Sequence, residues 1–130
     1  MSVEAERRVL IVDDFATMRR VVRTLLQELG YSEMRDASDG SEAMAMLEQH
    51  AFDLVVLDWN MPNTPGIEVL RWIRGHETLS ALPVLMVTAE ATREQILEAA
   101  ELGVNAYILK PFTAATLKKK LDFIFEKSPV

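Results

Sequence analysis

Apolar and polar positions along this chain keep two rhythms. Four short runs are apolar at every position: Val9-Leu10-Ile11-Val12, Leu54-Val55-Val56-Leu57, Val84-Leu85-Met86-Val87 and Ala106-Tyr107-Ile108-Leu109. Uninterrupted runs of this length and β-branched content predict parallel strands covered on both faces. A weaker run, Glu33 to Ala37, suits an edge strand. Between them lie stretches of helical period. The first is predicted from about Thr17 to Leu29, with Val21, Val22, Leu25, Leu26 and Leu29 on one stripe and Gly30 as a C′ glycine. The second covers about Gly40 to Gln49, with Asp39 as its cap. A third spans about Ile67 to Arg74, and a fourth about Thr92 to Leu102, ending at Gly103. The last starts near Thr113 and carries Leu117, Leu121, Ile124 and Phe125 on one face.

Strict alternation of strand and helix over five units predicts an α/β fold, a doubly wound parallel sheet with five helices. For five strands the expected order is 2-1-3-4-5. Ligands of such sheets bind outside the carboxyl ends of strands 1 and 3, where the winding reverses.

Composition narrows the function. At 130 residues the chain is expected to be one domain, with its core at about 7–127 and no output domain, since only Ser128, Pro129 and Val130 follow Lys127. The absence of cysteine excludes disulfide and thiolate chemistry and fits a reducing cytoplasm. Met1 to Arg8 is polar, without the apolar centre of an export signal, and no apolar run approaches the roughly 20 residues that span a bilayer. A net charge of −6 argues against a nucleic-acid partner, which needs a basic face.

The strand ends carry the chemistry. Strand 1 runs into Asp13-Asp14, strand 3 into Asp58, strand 4 into Thr88 and strand 5 into Lys110-Pro111. The predicted fold brings these side chains from four distant stretches to one rim. Three carboxylates in one crevice repel each other unless a cation joins them. Oxygen ligands without His or Cys suit a hard ion such as Mg²⁺, which also binds phosphate oxygens. A carboxylate, a magnesium ion, a lysine and a hydroxyl together make a phosphoryl-transfer site.

Four segments carry a resemblance: Val12 to Arg20 (VDDFATMRR), Asp58 to Asn63 (DWNMPN), Leu82 to Ala91 (LPVLMVTAEA) and Lys110 to Leu117 (KPFTAATL). In register over about Arg7 to Lys127, they resemble the response-regulator receiver family and in particular its chemotaxis members. The resemblance implies a flavodoxin-like fold and a set of roles. Asp58 would be the phosphoacceptor. Asp14, Asp58 and the carbonyl of Asn60 would ligate Mg²⁺, with Asp13 acting through water. Lys110 would hold a phosphoryl oxygen. Thr88 would turn inward to the phosphoryl group, and Tyr107 would fill the space it vacates. Asn60 and Glu90 would tune the lifetime of the phosphorylated state, and Lys110-Pro111 would be cis. Two positions depart from the family: Ala16 stands where a small hydroxyl residue is usual, and Pro65 where an acidic or small polar one is. The first helix is therefore expected to lack a side-chain cap.

The resemblance also implies partners: a histidine kinase as phosphodonor, the flagellar motor switch protein as target, and a phosphatase. The protein would be a cytoplasmic monomer, no enzyme beyond its own phosphorylation and dephosphorylation, with neither nucleic acid nor membrane as partner. A phosphorelay shuttle, or control of another motility or secretion machine, is the alternative output. A haloacid-dehalogenase-type phosphatase would need an acid where Asn60 stands. A flavodoxin-like redox protein would need a phosphate-cradling loop where Asp13-Asp14 stands, and a bare binding scaffold has no use for clustered carboxylates. The helical wheel puts Phe123 opposite the buried stripe of the last helix, beside Thr116, Lys119 and Lys120, and so with Tyr107 and Lys120 on the expected partner surface. Trp59 is expected to be a half-buried packing residue, and His50 and His76 surface residues.

Overall fold

The computed structural model describes residues 2–126. Strands β1 (Arg8–Val12), β2 (Glu33–Ala37), β3 (Leu54–Asp58), β4 (Val84–Thr88) and β5 (Ala106–Leu109) form one parallel sheet in the order β2-β1-β3-β4-β5. Six helices accompany them: α1 (Val3–Glu6), α2 (Ala16–Glu28), α3 (Gly40–Gln49), α4 (Gly66–Gly75), α5 (Arg93–Glu101) and α6 (Ala114–Glu126). The predicted sheet order and the five predicted helices are all present.

Alternation along each strand divides the core into two layers. Leu10, Val12, Val55, Leu57, Val84 and Met86 face α3, α4 and Ala99 of α5. Val9, Ile11, Leu54, Val56, Leu85 and Val87 face α2 and α6. Both faces of the central strands are covered, which is why their sequences are apolar throughout. Each fully buried Leu, Ile or Val here contributes about 1.5–3 kcal/mol relative to exposure.

Four readings need correction. Among the described residues there are six helices rather than five, because the polar start of the chain folds into the single turn α1. It is held by the Ser2 hydroxyl, which accepts from the Ala5 amide at 3.3 Å, and by the Ser32 hydroxyl, which donates to the Ala5 carbonyl at 3.1 Å. Neither contact leaves an apolar period to read. Val21 lies at the margin of the α2 stripe and is exposed; Val22 and Leu26 carry the burial. Trp59 is buried rather than half-buried, packed in the layer of α3 and α4. His50 is exposed as expected, but His76 is partly covered, tilted against the Trp72 ring at 4.9 Å.

The caps follow the sequence closely. Asp39 accepts from the Glu42 amide at 2.8 Å, and Thr92 with Gln95 forms a capping box at the start of α5. Gly30 follows α2 with φ +100, a conformation that L side chains rarely adopt. At the other end of α2 the cap position is Phe15 and not Ala16, which is the first helical residue; Phe15 offers no side-chain hydrogen bond, so the helix does lack a side-chain cap.

Candidate phosphoryl-acceptor site

The register of the sheet sets the site. Val12 is level with Leu57 and Asp58 with Val87, so Asp13 and Asp58 emerge side by side as the next residues of their strands. Asp13 is 3% exposed and Asp58 2%, whereas Asp14 is half-buried. Each of the three offers a carboxylate oxygen within 4.8 Å of the others.

Lys110, on the turn after β5, reaches in from the far side. Its amide donates to the Thr88 carbonyl at 2.8 Å, which fixes the turn, and the Lys110-Pro111 bond is cis. Its Nζ donates to Asp58 Oδ1 at 3.2 Å and lies 3.6 Å from Asp13 Oδ2. One lysine against three carboxylates leaves two negative charges uncompensated. Burial pushes the Asp58 carboxyl up to about 6, the nearby Asp13 charge adds to the rise, and Lys110 opposes it.

The donor set fits a divalent metal ion. Asp14 Oδ1 is, among the described residues, the buried side-chain polar atom that has no hydrogen-bond partner. A buried carboxylate oxygen without a donor is costly, and a cation beside it removes that cost. All-oxygen ligands and a charge deficit of two match a hard divalent ion.

The remaining predicted residues gather around this centre or along one flank. The Asn60 amide approaches Asp58 Oδ1 at 3.4 Å, and the Asn60 side chain is exposed. Thr88 is fully buried at the end of β4, its hydroxyl bonded to the backbone of Glu90, which is itself exposed. Tyr107 is half-buried on β5, with Lys120 Nζ 5.3 Å from its ring centroid. Phe123 is 61% exposed, and a groove joins it to Tyr107, Lys119, Lys120, Ile96 and Ala100. The structure thus brings together Asp13, Asp14, Asp58, Asn60 and Lys110, and sets Tyr107, Lys120 and Phe123 apart on the flank of α5, β5 and α6.

Two contributors escaped the sequence reading. Gly66 opens α4 directly against β3: a Cβ there would lie 2.2 Å from the Asp58 carbonyl oxygen, and its amide donates to the Trp59 carbonyl at 2.9 Å. With Asn63 at φ +70 and Pro65 at the cap position, the loop fits tightly under the acceptor strand. Arg19 is the other. Its Nη1 donates to the Asp13 carbonyl at 2.6 Å, and its Nε lies 3.4 Å from Asp36 Oδ2. A cation in the first turns of a helix that has no acidic residue in its own first turn opposes the helix dipole, and that was the available signal.

Comparison with known proteins agrees with this geometry. Residues 9–122 match the family model described as the response regulator receiver domain. The chain is 61% identical over 120 residues to chemotaxis protein CheY-3 of Vibrio cholerae, covering 92% of each. Among solved structures, chemotaxis protein CheY4 of Vibrio cholerae superposes with a TM-score of 0.85 at 35% identity, covering 92% of this chain and 98% of that one. The receiver domain of a sensor histidine kinase from Pseudomonas aeruginosa PAO1, with a magnesium ion coordinated in its active site cleft, superposes with a TM-score of 0.80 at 28% identity, covering 91% and 97%.

Proposed function

The chain belongs to the response regulator receiver domain family, and on that premise we propose that it is a chemotaxis regulator switched by Mg²⁺-dependent phosphorylation of Asp58. The observation that carries this reading is the convergence of Asp13, Asp14, Asp58 and Lys110 at the ends of β1, β3 and β5.

Asp58 is the nucleophile. A carboxylate oxygen attacks the phosphorus of a phosphohistidine on a kinase, or of a small phosphodonor. The bond from phosphorus to the donor atom breaks, and the electron pair leaves with the donor. Lys110, already 3.2 Å from Asp58 Oδ1, transfers its contact to a phosphoryl oxygen and keeps positive charge where negative charge accumulates. Asp14, Asp58 and the Asn60 carbonyl would hold the metal, with Asp13 acting through water. When bound, Mg²⁺ offsets the carboxylate charge and that of the incoming phosphoryl oxygens. Asn60, exposed two residues after the acceptor, and Glu90, exposed two residues after Thr88, would set how readily water reaches the acyl phosphate and hence its lifetime. The protein acts on no substrate other than its own phosphoryl group.

The output is binding of a separate protein on the flank of α5, β5 and α6, where Tyr107, Lys120 and Phe123 lie. We take the flagellar motor switch protein as target and a chemotaxis histidine kinase as donor, in the cytoplasm; what supports this is that the similar proteins carry the name of chemotaxis proteins. Among the described residues no helix is long and apolar enough to cross a membrane.

Incubation with a labelled small phosphodonor and Mg²⁺ tests the acceptor. Label should appear on the wild-type protein and be absent from Asp58→Asn, whose amide cannot form an acyl phosphate. Label persisting on Asp58→Asn would place the acceptor elsewhere.

A further inference from the structure

Asp13 is held on three sides. Its amide donates to the Ala37 carbonyl of β2 at 3.2 Å, its Oδ1 accepts from the Phe15 amide at 2.8 Å, and its carbonyl accepts from Arg19 Nη1 at 2.6 Å. The carbonyl of Asp13 shares a peptide plane with the amide of Asp14. Whatever orients that carbonyl therefore orients the backbone from which the Asp14 carboxylate projects.

Arg19 does so from α2. Its side chain is largely covered, 17% exposed, and its guanidinium bridges two points: the Asp13 carbonyl at the end of β1 and Asp36 near the end of β2. Asp36 is also paired with Arg23, one turn further along α2. A rigid planar fork can hold two acceptors in fixed relation, which a lysine cannot do. The Asp36 carboxylate, shared with Arg23, offsets the Arg19 charge only in part, so Arg19 keeps a net repulsion toward a metal ion bound a peptide away.

We propose that Arg19, anchored on Asp36, is a positioning residue for the metal centre: it fixes the Asp13–Asp14 peptide so that the unpartnered Asp14 oxygen is aimed at the ion. The inference rests on the Mg²⁺ reading above and extends it to residues that touch neither metal nor phosphoryl group. Mg²⁺ demands near-ideal geometry, so it is sensitive to a tilt that a softer site would absorb. Residues that orient metal ligands typically matter by about 10–100-fold in affinity.

The sign of the effect separates positioning from plain electrostatics. Removing a positive charge near a cation site strengthens cation binding if Coulomb's law is all that operates. Removing a positioning group weakens it.

Calorimetric titration of MgCl₂ into wild type, Arg19→Ala and Arg19→Lys decides, with far-UV circular dichroism and a urea midpoint recorded for each. Arg19→Ala should bind Mg²⁺ about ten-fold more weakly than wild type, and Arg19→Lys should fall short of wild type despite its retained charge. Ca²⁺, which tolerates irregular geometry, should lose less than Mg²⁺ in Arg19→Ala. Mg²⁺ affinity in Arg19→Ala that is unchanged or tighter would overturn the inference, and a lowered urea midpoint with unchanged affinity would leave Arg19 a structural clamp only. No heat of binding in the wild type would instead overturn the metal reading itself, and this inference with it.

Discussion

Thr88 and Glu90 hold each other. The Thr88 hydroxyl donates to the Glu90 carbonyl at 2.9 Å and accepts from the Glu90 amide at 3.2 Å, closing a small ring at the end of β4. A neutral hydrogen bond of this kind is worth about 1 kcal/mol, and one to a charged phosphoryl oxygen about 1.5–3 kcal/mol. Phosphorylation of Asp58 therefore offers the hydroxyl a better acceptor than the one it has. Thr88→Ala should still take label on Asp58 but should not relay it. The Tyr107 ring resonances, expected to shift in the wild type on adding beryllofluoride with Mg²⁺, should stay in place in the variant. An equal shift in both would remove Thr88 from the switch.

Asp58 makes the metal-free protein pay at neutral pH for its buried charge. Its carboxyl sits at about 6 in the fold against 3.8 ordinarily. The folded state therefore holds a proton that the unfolded chain has released between those values. Stability from this group is fully present below about pH 4 and is lost as pH rises through about 6. The loss is on the order of 2–3 kcal/mol. In chelator at pH 7, Asp58→Asn should melt at a higher temperature than wild type, and the difference should shrink towards pH 4 and on adding Mg²⁺. An Asp58→Asn protein that melts lower at pH 7 would contradict this.

The same carboxyl couples metal to protons. A ligand must be ionised to bind, so Mg²⁺ affinity should be nearly flat above about pH 7 and fall by up to about ten-fold per pH unit well below 6. Trp59 adjoins Asp58 and is buried, so its fluorescence in a Trp72→Phe background is a suitable reporter. An affinity independent of pH between 5 and 7 would mean that Asp58 is either not a ligand or already ionised throughout that range.

Gly66 should tolerate no side chain. The 2.2 Å approach of an added Cβ to the Asp58 carbonyl oxygen meets backbone, which cannot rotate away. Gly66→Ala should cost on the order of 2–3 kcal/mol by urea unfolding. Gly75 has nothing within 4 Å of such an atom, so Gly75→Ala should be neutral or stabilising by up to about 1 kcal/mol. Equal effects at the two positions would show that helix propensity, not contact, governs Gly66.

Phe123 should serve binding rather than folding. It is exposed, beside Lys119 and Lys120, on the flank where Lys120 approaches Tyr107. Phe123→Ala should weaken binding of the phosphorylated form to the motor switch protein by more than about 1 kcal/mol while leaving the urea midpoint and Asp58 labelling unchanged. A lowered midpoint with unchanged binding would make it a packing residue.

The sheet and the carboxylate cluster were legible because both rest on strong local signals. Doubly covered strands such as Leu54–Leu57 must be apolar at every position, and polar residues just past their ends mark the carboxyl rim. The exposure of Phe123 followed from helical period alone. Val21 did not, because it stands about 100° from Val22, and the margin of a stripe is decided by what α2 packs against. The turn α1 was invisible because its supports are two serine hydroxyls, one of them from Ser32, far along the chain. The burial of Trp59 and the roles of Gly66 and Arg19 come from backbone approaches across elements, which carry no periodic trace.

The strand order has a consequence for the chain as it is being made. β1 and β3 are adjacent in the sheet with β4 beside β3, and all three precede β5 in the chain. Lys110 follows β5, which occupies the sheet edge beside β4, and is separated from Asp58 by 52 residues. A nascent chain in which β1, β3 and β4 had paired before β5 was added would present Asp13, Asp14 and Asp58 together with no lysine among them, at the stage when carboxylate repulsion is greatest. Magnesium in the surrounding solution is the cation then at hand. The metal that we propose for signalling would first serve the folding of the half-made sheet, holding β1 and β3 in register until β5 arrives.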